Sequence, residues 1–138
     1  PNERCRGEVR GKPSYQAPEM HEEPDYDPRV ADAFSLGVAL YCMAAKGYPW
    51  AATKAGACQL FDYCRTWGAR TFLRQRTSGT SPQAPRVGEV LSPGLLGLLE
   101  ALLEVRPRHR ATLTPGARCA WGLLWLQAAA HAGAPLPA

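Results

Sequence analysis

The chain contains no isoleucine, and only one of its 138 residues is asparagine. Isoleucine favours strands whereas the abundant Leu and Ala favour helices, so this composition excludes an all-β fold and predicts a mainly α one. Asn2 is followed by Glu3 and Arg4, which leaves no glycosylation sequon. Long hydrophobic runs are also missing: the most apolar stretches, 33–45 and 119–130, are shorter than the roughly 20 residues of a membrane-spanning helix. We therefore expect a soluble protein with no membrane segment.

Cysteine and histidine are too scattered to suggest a metal site. The five cysteines form no C-x-x-C pair, the closest two being Cys58 and Cys64, and the three histidines are dispersed along the chain. An odd number of cysteines favours a reducing compartment over a disulfide framework. The sequence therefore predicts no bound metal and a cytoplasmic location.

Positive charge is concentrated in the middle of the chain, where residues 46–88 carry seven basic and one acidic side chain. Arginine outnumbers lysine thirteen to three, which favours bidentate recognition of carboxylate or phosphate groups. A solvated basic face is the alternative interpretation. Aromatic residues are interleaved too sparsely for a nucleic-acid stacking surface, so we rank a nucleic-acid binder last. The candidate docking face for acidic segments consists of Arg65, Arg70, Arg74 and Arg76.

The first half of the chain predicts a loop followed by one long helix. Residues 1–29 are rich in Pro, Gly and charge, which permits only short turns. From Val30 through Ala45 the sequence is apolar on nearly every side of a 3.6-residue period, which predicts a helix buried all round. A weaker helical pattern covers 55–67, and the composition of 77–88 predicts a loop.

The second half predicts two further helices. Ser92 and Pro93 form a helix start, and a leucine stripe at the helical period follows it up to Pro107, where we expect the helix to end. Thr114 and Pro115 repeat the start signal. The last helix would place on one face Trp121, Leu124, Trp125 and Ala128. Residues 131–138 predict a frayed tail.

Four short motifs occur in order between residues 11 and 112. Residues 11–19 read G-K-P-S-Y-Q-A-P-E, similar to the G-T-x-x-Y-x-A-P-E pattern. Residues 32–37 resemble D-x-W-S-x-G with Phe34 in place of Trp, and residues 47–50, G-Y-P-W, are similar to the G-x-x-P-[FW] pattern. Residues 98–112 resemble L-L-x-x-L-L-x-x-x-P-x-x-R-x-T. A single short motif would be weak evidence, whereas this ordered set covers nearly the whole chain and resembles the protein kinase family from the end of its activation segment onward.

The resemblance implies a helical kinase C-lobe fragment that lacks the N-lobe and the catalytic loop. It divides the chain into the end of the activation segment and its following loop (1–29), C-lobe helices (30–130) and the tail. It implies a wall that receives the substrate segment next to the phosphoacceptor, formed by Gly11, Lys12, Pro13, Ser14 and Tyr15. The residues that it implies for the structural frame are Ala17, Pro18, Glu19, Asp32, Gly37 and Arg110.

Within that frame, the resemblance implies a buried ion pair between Glu19 and Arg110. It also implies that Asp32 accepts hydrogen bonds from backbone N–H groups of the catalytic loop, a segment absent from this sequence; the alternative for Asp32 is an acid at a helix N-terminus. Lys12 stands where serine/threonine kinases carry threonine, so the resemblance implies that its ammonium lies against the catalytic aspartate of the parent protein, where it would either sustain or block the active site; the alternative is sequence drift in a degenerate relative.

No catalytic residue is expected in this chain, because neither G-x-G-x-x-G, H-R-D nor D-F-G occurs in it. ATP and Mg²⁺ are therefore implied for a longer parent protein, with their binding residues before Pro1, and none for the chain alone. Residues 16–19 lack the tryptophan that tyrosine kinases place before the proline, which favours a parent that phosphorylates protein Ser or Thr. The alternative is a pseudokinase or kinase-derived interaction module. Lys12 and Phe34, which depart from the family pattern, favour this alternative.

Overall fold

The computed structural model describes residues 5–6, 9–116 and 118–120 of the chain. In chain order its elements are β1 (Cys5–Arg6), α1 (Glu19–Glu22), β2 (Asp25–Tyr26), α2 (Pro28–Ala45), α3 (Gln59–Trp67), α4 (Ala69–Gln75), α5 (Val87–Val90) and α6 (Pro93–Leu102). The two strands form a short antiparallel pair, and the rest is helix and loop. The mainly α fold class is confirmed. Among the helices of these residues, none has the length and apolarity that a bilayer crossing requires.

The longest helix, α2, begins at Pro28, two residues before the predicted start. Asp27 caps it by accepting a hydrogen bond from the backbone N–H of Arg29 at 2.9 Å. It ends where Lys46 adopts a left-handed conformation with φ of 57°. The prediction of burial on every side is wrong, because Met43 is 70% exposed. Within the described residues, neighbours cover one face of α2 and leave Met43 in solvent.

Helix α6 packs against the buried face of α2. Its start follows the predicted signal, since Ser92 Oγ accepts from the N–H of Leu95 at 3.2 Å and Pro93 occupies the first turn. The helix ends at Leu102, five residues before the proline that we expected to end it. The carbonyls of Glu104 and Val105 accept hydrogen bonds from a buried guanidinium instead of continuing the helix.

The contact between α2 and α6 requires a residue without a side chain at Gly37. A Cβ there would lie 2.9 Å from Leu102 Cβ and 2.9 Å from Leu103 Cδ2. Overpacking costs about 1–3 kcal/mol, while alanine improves helix propensity by up to about 1 kcal/mol. We expect Gly37→Ala to lower the free energy of unfolding, measured by urea titration, by about 1–2 kcal/mol. Gly47→Ala is the control, because nothing lies within 4 Å of its added Cβ; equal stability of the two variants would contradict the close packing.

Four aromatic rings form the centre of the core around Trp50. Its ring centroid lies 5.8 Å from Phe34, 4.9 Å from Phe61 and 5.3 Å from Phe72. All four rings are almost completely buried. Three elements, α2, α3 and α4, therefore meet on the turn that follows α2.

The sequence missed α4 and misplaced the start of α3. The predicted weak helix over 55–67 begins only at Gln59, since residues 55–57 form a turn. Gly68, with φ of 90°, separates α3 from α4. The buried residues of α4 share one helical face, a signal that Arg70 and Arg74 obscured: Ala69, Phe72 and Leu73.

Beyond α6 no helix begins at the predicted start, Thr114–Pro115, and Ala120 is the one helical residue described after α6. Residues 113–116 bend, and Thr112 pairs with Cys119 in an isolated bridge. The predicted helical face from Trp121 to Ala128 and the predicted tail lie outside the described residues. Segment 77–88 is a loop as predicted, except that α5 begins at Val87.

Candidate functional site

The segment 11–16 is fastened along its length to the turn after α2. Ser14 Oγ donates to the carbonyl of Ala51 at 3.0 Å, and the indole N–H of Trp50 donates to the carbonyl of Ser14 at 3.0 Å. Thr53 Oγ1 donates to the carbonyl of Gln16 at 2.6 Å. Ser14 and Gln16 are buried, so these backbone positions are fixed from below.

The same segment presents an open face to solvent. Gly11, Lys12 and Pro13 are exposed, and Tyr15 is half-buried. Gly11 has φ of 92°, a conformation that glycine adopts without strain, and its carbonyl accepts from the Gln16 side chain at 2.8 Å. The five predicted wall residues thus form a continuous ledge, exposed at 11–13 and anchored at Ser14.

Lys12 lies against Tyr48, a residue of the turn after α2. Its Nζ donates to Tyr48 Oη at 2.6 Å and lies 4.1 Å from the centroid of that ring. The hydrogen bond from the ammonium lowers the pKa of Tyr48 below its usual value. In the described residues the ammonium thus has a phenol as its partner, a contact that the sequence did not predict.

Tyr15 packs edge-on against the other side of Tyr48, with ring centroids 5.8 Å apart. Its hydroxyl points at Cys42 Sγ, 3.9 Å away. The contact with this thiol is the main reason that the pKa of Tyr15 rises to about 12, and partial burial adds to it. Tyr15 therefore stays a neutral phenol at physiological pH.

Four residues after the ledge, Glu19 forms an ion pair with Arg110, which is 91 positions later in the chain. Arg110 Nη1 donates to Glu19 Oε1 at 2.6 Å and Nη2 to Oε2 at 2.9 Å, a bidentate pair. The two side chains are 2% and 0% exposed. Breaking such a pair leaves a charge buried without a partner.

All five N–H groups of the Arg110 guanidinium have an acceptor. Besides the carboxylate, they reach three backbone carbonyls: Val30 at 3.0 Å, Glu104 at 2.8 Å and Val105 at 3.2 Å. The guanidinium carbon also lies 5.0 Å from the Phe34 ring centroid. Arg110 therefore joins α1, the start of α2 and the turn after α6 in one buried network.

Asp32 and Phe34 have different surroundings, although both belong to one motif. Asp32 is exposed in the second turn of α2, and the helix is capped by Asp27. Phe34 is fully buried between Trp50, Phe61 and the Arg110 guanidinium. The phenylalanine that replaces the expected tryptophan thus fills a core position.

The four arginines of the predicted docking face do not line one cleft. Arg65 forms an ion pair with Glu22 and lies 5.2 Å from the Phe61 ring, in a cleft with Trp67. Arg74 and Arg76 line two other clefts, and Arg70 is exposed on α4. A carboxylate already partners Arg65, so its charge is not free for an acidic segment.

Comparison with known proteins decides the family. The profile of the family described as protein kinase domain matches residues 2–121. The chain belongs to this family. The C-lobe position within the kinase domain, which the motifs imply, stays a prediction.

Similar curated proteins are named as serine/threonine kinases. The chain is 48% identical over 44 residues to a probable serine/threonine-protein kinase RTK1 of Saccharomyces cerevisiae, covering 32% of this chain and 7% of that protein. It is 32% identical over 62 residues to the yeast serine/threonine-protein kinase PRR2, covering 45% and 9%. The match to the rice kinase SAPK3 is 48% over 40 residues, covering 29% and 12%. The chain thus spans about a tenth of the length of these kinases.

The kinase family implies ATP and Mg²⁺ as cofactors, but the described residues do not form a binding site for them. They contain no cluster of three His, Cys, Asp or Glu side chains that could hold a metal ion. A cleft of about 710 Å³ is lined by both signs of charge, with three glutamates and three arginines among its residues. No step of phosphoryl transfer is therefore assigned to these residues.

The sequence did not predict two residues that contact the ledge or the residue just after it, Tyr48 and Thr53. Tyr48 stands inside the G-Y-P-W motif, but its motif position gave no reason to pair it with a lysine 36 residues earlier. Thr53 is fully buried, although it lies in the loop between α2 and α3. A buried threonine in such a loop needs an acceptor, which the carbonyl of Gln16 supplies.

Proposed function

We propose that this chain is part of the substrate-binding lobe of a protein serine/threonine kinase. The ledge at residues 11–15 forms the wall that receives the substrate residue following the phosphoacceptor, and the parent protein transfers the γ-phosphoryl group of ATP. The observation that carries this proposal is the fixation of the ledge: hydrogen bonds hold Ser14 and Gln16 from below, and the buried Glu19–Arg110 pair holds its end.

A rigid ledge of this kind suits the demands of phosphoryl transfer, in which positioning supplies much of the catalysis. An extended substrate lying along the exposed residues 11–13 would meet backbone that cannot shift without breaking buried hydrogen bonds. The residues of this chain thereby orient the acceptor and do not touch the reacting phosphorus. The preference for Ser and Thr is supported by residues 16–19 and by the names of the similar kinases.

The proposal is tested by incubating the longest natural polypeptide that carries this chain with Mg-ATP and three peptides that differ only in a Ser, Thr or Tyr acceptor. We expect phosphate on the Ser and Thr peptides and little on the Tyr peptide, detected by mass spectrometry. Transfer to Tyr alone, or no transfer to any peptide, would contradict the proposal. Peptide binding without transfer would favour the alternative, a kinase-derived interaction module.

The isolated chain should not bind nucleotide. Because its described residues contain no cluster of three side chains that could hold a metal ion, we expect titration with Mg-ATP to leave its melting temperature unchanged. An active kinase domain, measured in parallel, should show saturable stabilisation. A saturable increase in the melting temperature of the isolated chain would show that it holds the nucleotide after all.

A further inference from the structure

The ledge and the turn after α2 together form a surface of one charge. Residues 9–16 contain Arg10 and Lys12, residues 46–51 contain Lys46, and neither segment contains an Asp or Glu. The two segments are held together by the hydrogen bonds of Ser14 and Trp50 described above. A ligand on the exposed part of the ledge therefore meets the Lys12 ammonium and no carboxylate from these two segments.

Lys12 and Tyr48 place two hydrogen-bond donors side by side on this surface. The ammonium has three N–H groups and gives one to Tyr48 Oη, which leaves two for a ligand. The phenol accepts from Lys12, and its own O–H rotates to donate either to the neighbouring Tyr15 hydroxyl or to a ligand. Tyr48 is 44% exposed and Lys12 is exposed, so both groups are accessible.

The lysine is also pre-positioned. A surface lysine ordinarily samples many rotamers, and ordering it reduces what an ion pair contributes to binding. Here the Tyr48 ring lies 4.1 Å below the ammonium, and the edge-on contact with Tyr15 fixes that ring in turn. Binding an anion therefore costs less conformational entropy, because the lysine side chain is already ordered in the free protein.

We propose that Lys12 and Tyr48 select substrates in which an acidic side chain directly follows the phosphoacceptor. One carboxylate oxygen accepts from the Lys12 ammonium and the other from the Tyr48 hydroxyl. This inference rests on the proposed function, because it assigns a substrate class to the same wall. A basic residue at that position is disfavoured by Lys12, and a neutral one leaves both donors to water.

The test compares three peptides that differ only in the residue after the acceptor serine: Asp, Asn or Lys. With the longest natural polypeptide that carries this chain, we expect kcat/KM to be about fivefold higher for Asp than for Asn, as for a partly exposed ion pair. Raising the salt concentration should reduce this ratio. A ratio near one for the unaltered protein overturns the inference.

Variants separate a selective role of Lys12 from a structural one. Lys12→Met should bring the Asp-to-Asn ratio close to one, and Lys12→Glu should make the Lys peptide the preferred substrate. Tyr48→Phe, which keeps the ring, should reduce the ratio by about half. Lys54→Met is the matched control, since Lys54 is exposed, its charge acts on His21 and it has no contact with Tyr48 among those described, and the ratio should stay unchanged. A Lys12→Met protein that keeps the full ratio overturns the inference.

Failure of the proposed function can be told apart from failure of this inference. Transfer to the Asn and Asp peptides at equal rates leaves the kinase proposal standing and overturns the acidic preference. If no phosphoryl transfer occurs, the kinase proposal fails, and the ratio is measured as peptide dissociation constants by fluorescence anisotropy. In that case a tighter complex with the Asp peptide, lost in Lys12→Met, supports the inference, and equal dissociation constants overturn it.

Discussion

Replacing Arg110 by methionine should lower the free energy of unfolding by about 3–5 kcal/mol, the cost of breaking a buried ion pair. The substitution leaves the Glu19 carboxylate buried without its partner, because that side chain is only 2% exposed. It also removes the donors that the carbonyls of Val30, Glu104 and Val105 use. Urea unfolding followed by circular dichroism measures the loss.

The control for this variant is Arg106→Met, which removes an exposed arginine paired with Glu104. An exposed ion pair contributes at most about 1 kcal/mol, so this variant should remain near the stability of the unaltered chain. The double variant Glu19→Leu with Arg110→Met should regain part of the loss, because no unpaired charge stays buried. A loss below about 1 kcal/mol for Arg110→Met would show that the pair does not hold the frame.

Replacing Trp50 by alanine should have an effect of similar size, about 3–5 kcal/mol, through the cavity that it leaves. The indole is 1% exposed and contacts three buried aromatic rings from α2, α3 and α4. Its removal also takes the donor from the carbonyl of Ser14, so the ledge should loosen. Urea unfolding measures the stability, and hydrogen exchange of residues 11–16 measures the loosening.

Two further variants separate the parts of this effect. Trp50→Phe keeps a ring but removes the N–H, so hydrogen exchange at Ser14 should rise with a smaller loss of stability, about 1–3 kcal/mol. Trp67→Ala removes an indole that is 63% exposed, and its stability should change little. If Trp50→Ala and Trp67→Ala destabilise the chain equally, Trp50 is not the centre of the core.

Local sequence signals were sufficient to predict α2 and α6, the two longest helices of the described residues. Helix α6 has a serine cap, a proline in the first turn and a leucine stripe, and each of these acts within a few residues. The existence of α2 was equally predictable, but the face that it exposes to solvent was not. Apolar residues such as Met43 occur on that exposed face as well. Periodicity reports which residues are apolar and not which neighbours cover them.

The spacing of residues along the sequence could not predict contacts between distant parts of the chain. The pairing of Glu19 with Arg110 came from the resemblance to kinases, since no pattern links residues 91 positions apart. The contact between Lys12 and Tyr48 came from neither source, because the lysine departs from the family pattern and its partner depends on how the ledge is folded onto the turn. Helix α4 was missed because a stretch rich in arginine was interpreted as a charged surface, although three of its residues are buried.

Cross-linking tests most directly whether the ledge receives the residue after the phosphoacceptor. A peptide with a diazirine side chain directly after the acceptor serine is irradiated with the longest natural polypeptide that carries this chain, and the adducts are mapped by mass spectrometry. The account predicts adducts on residues 11–15 and on Tyr48, competed away by the same peptide without the diazirine. Adducts confined to the clefts around Arg65 and Arg74, with residues 11–15 unlabelled, would contradict it.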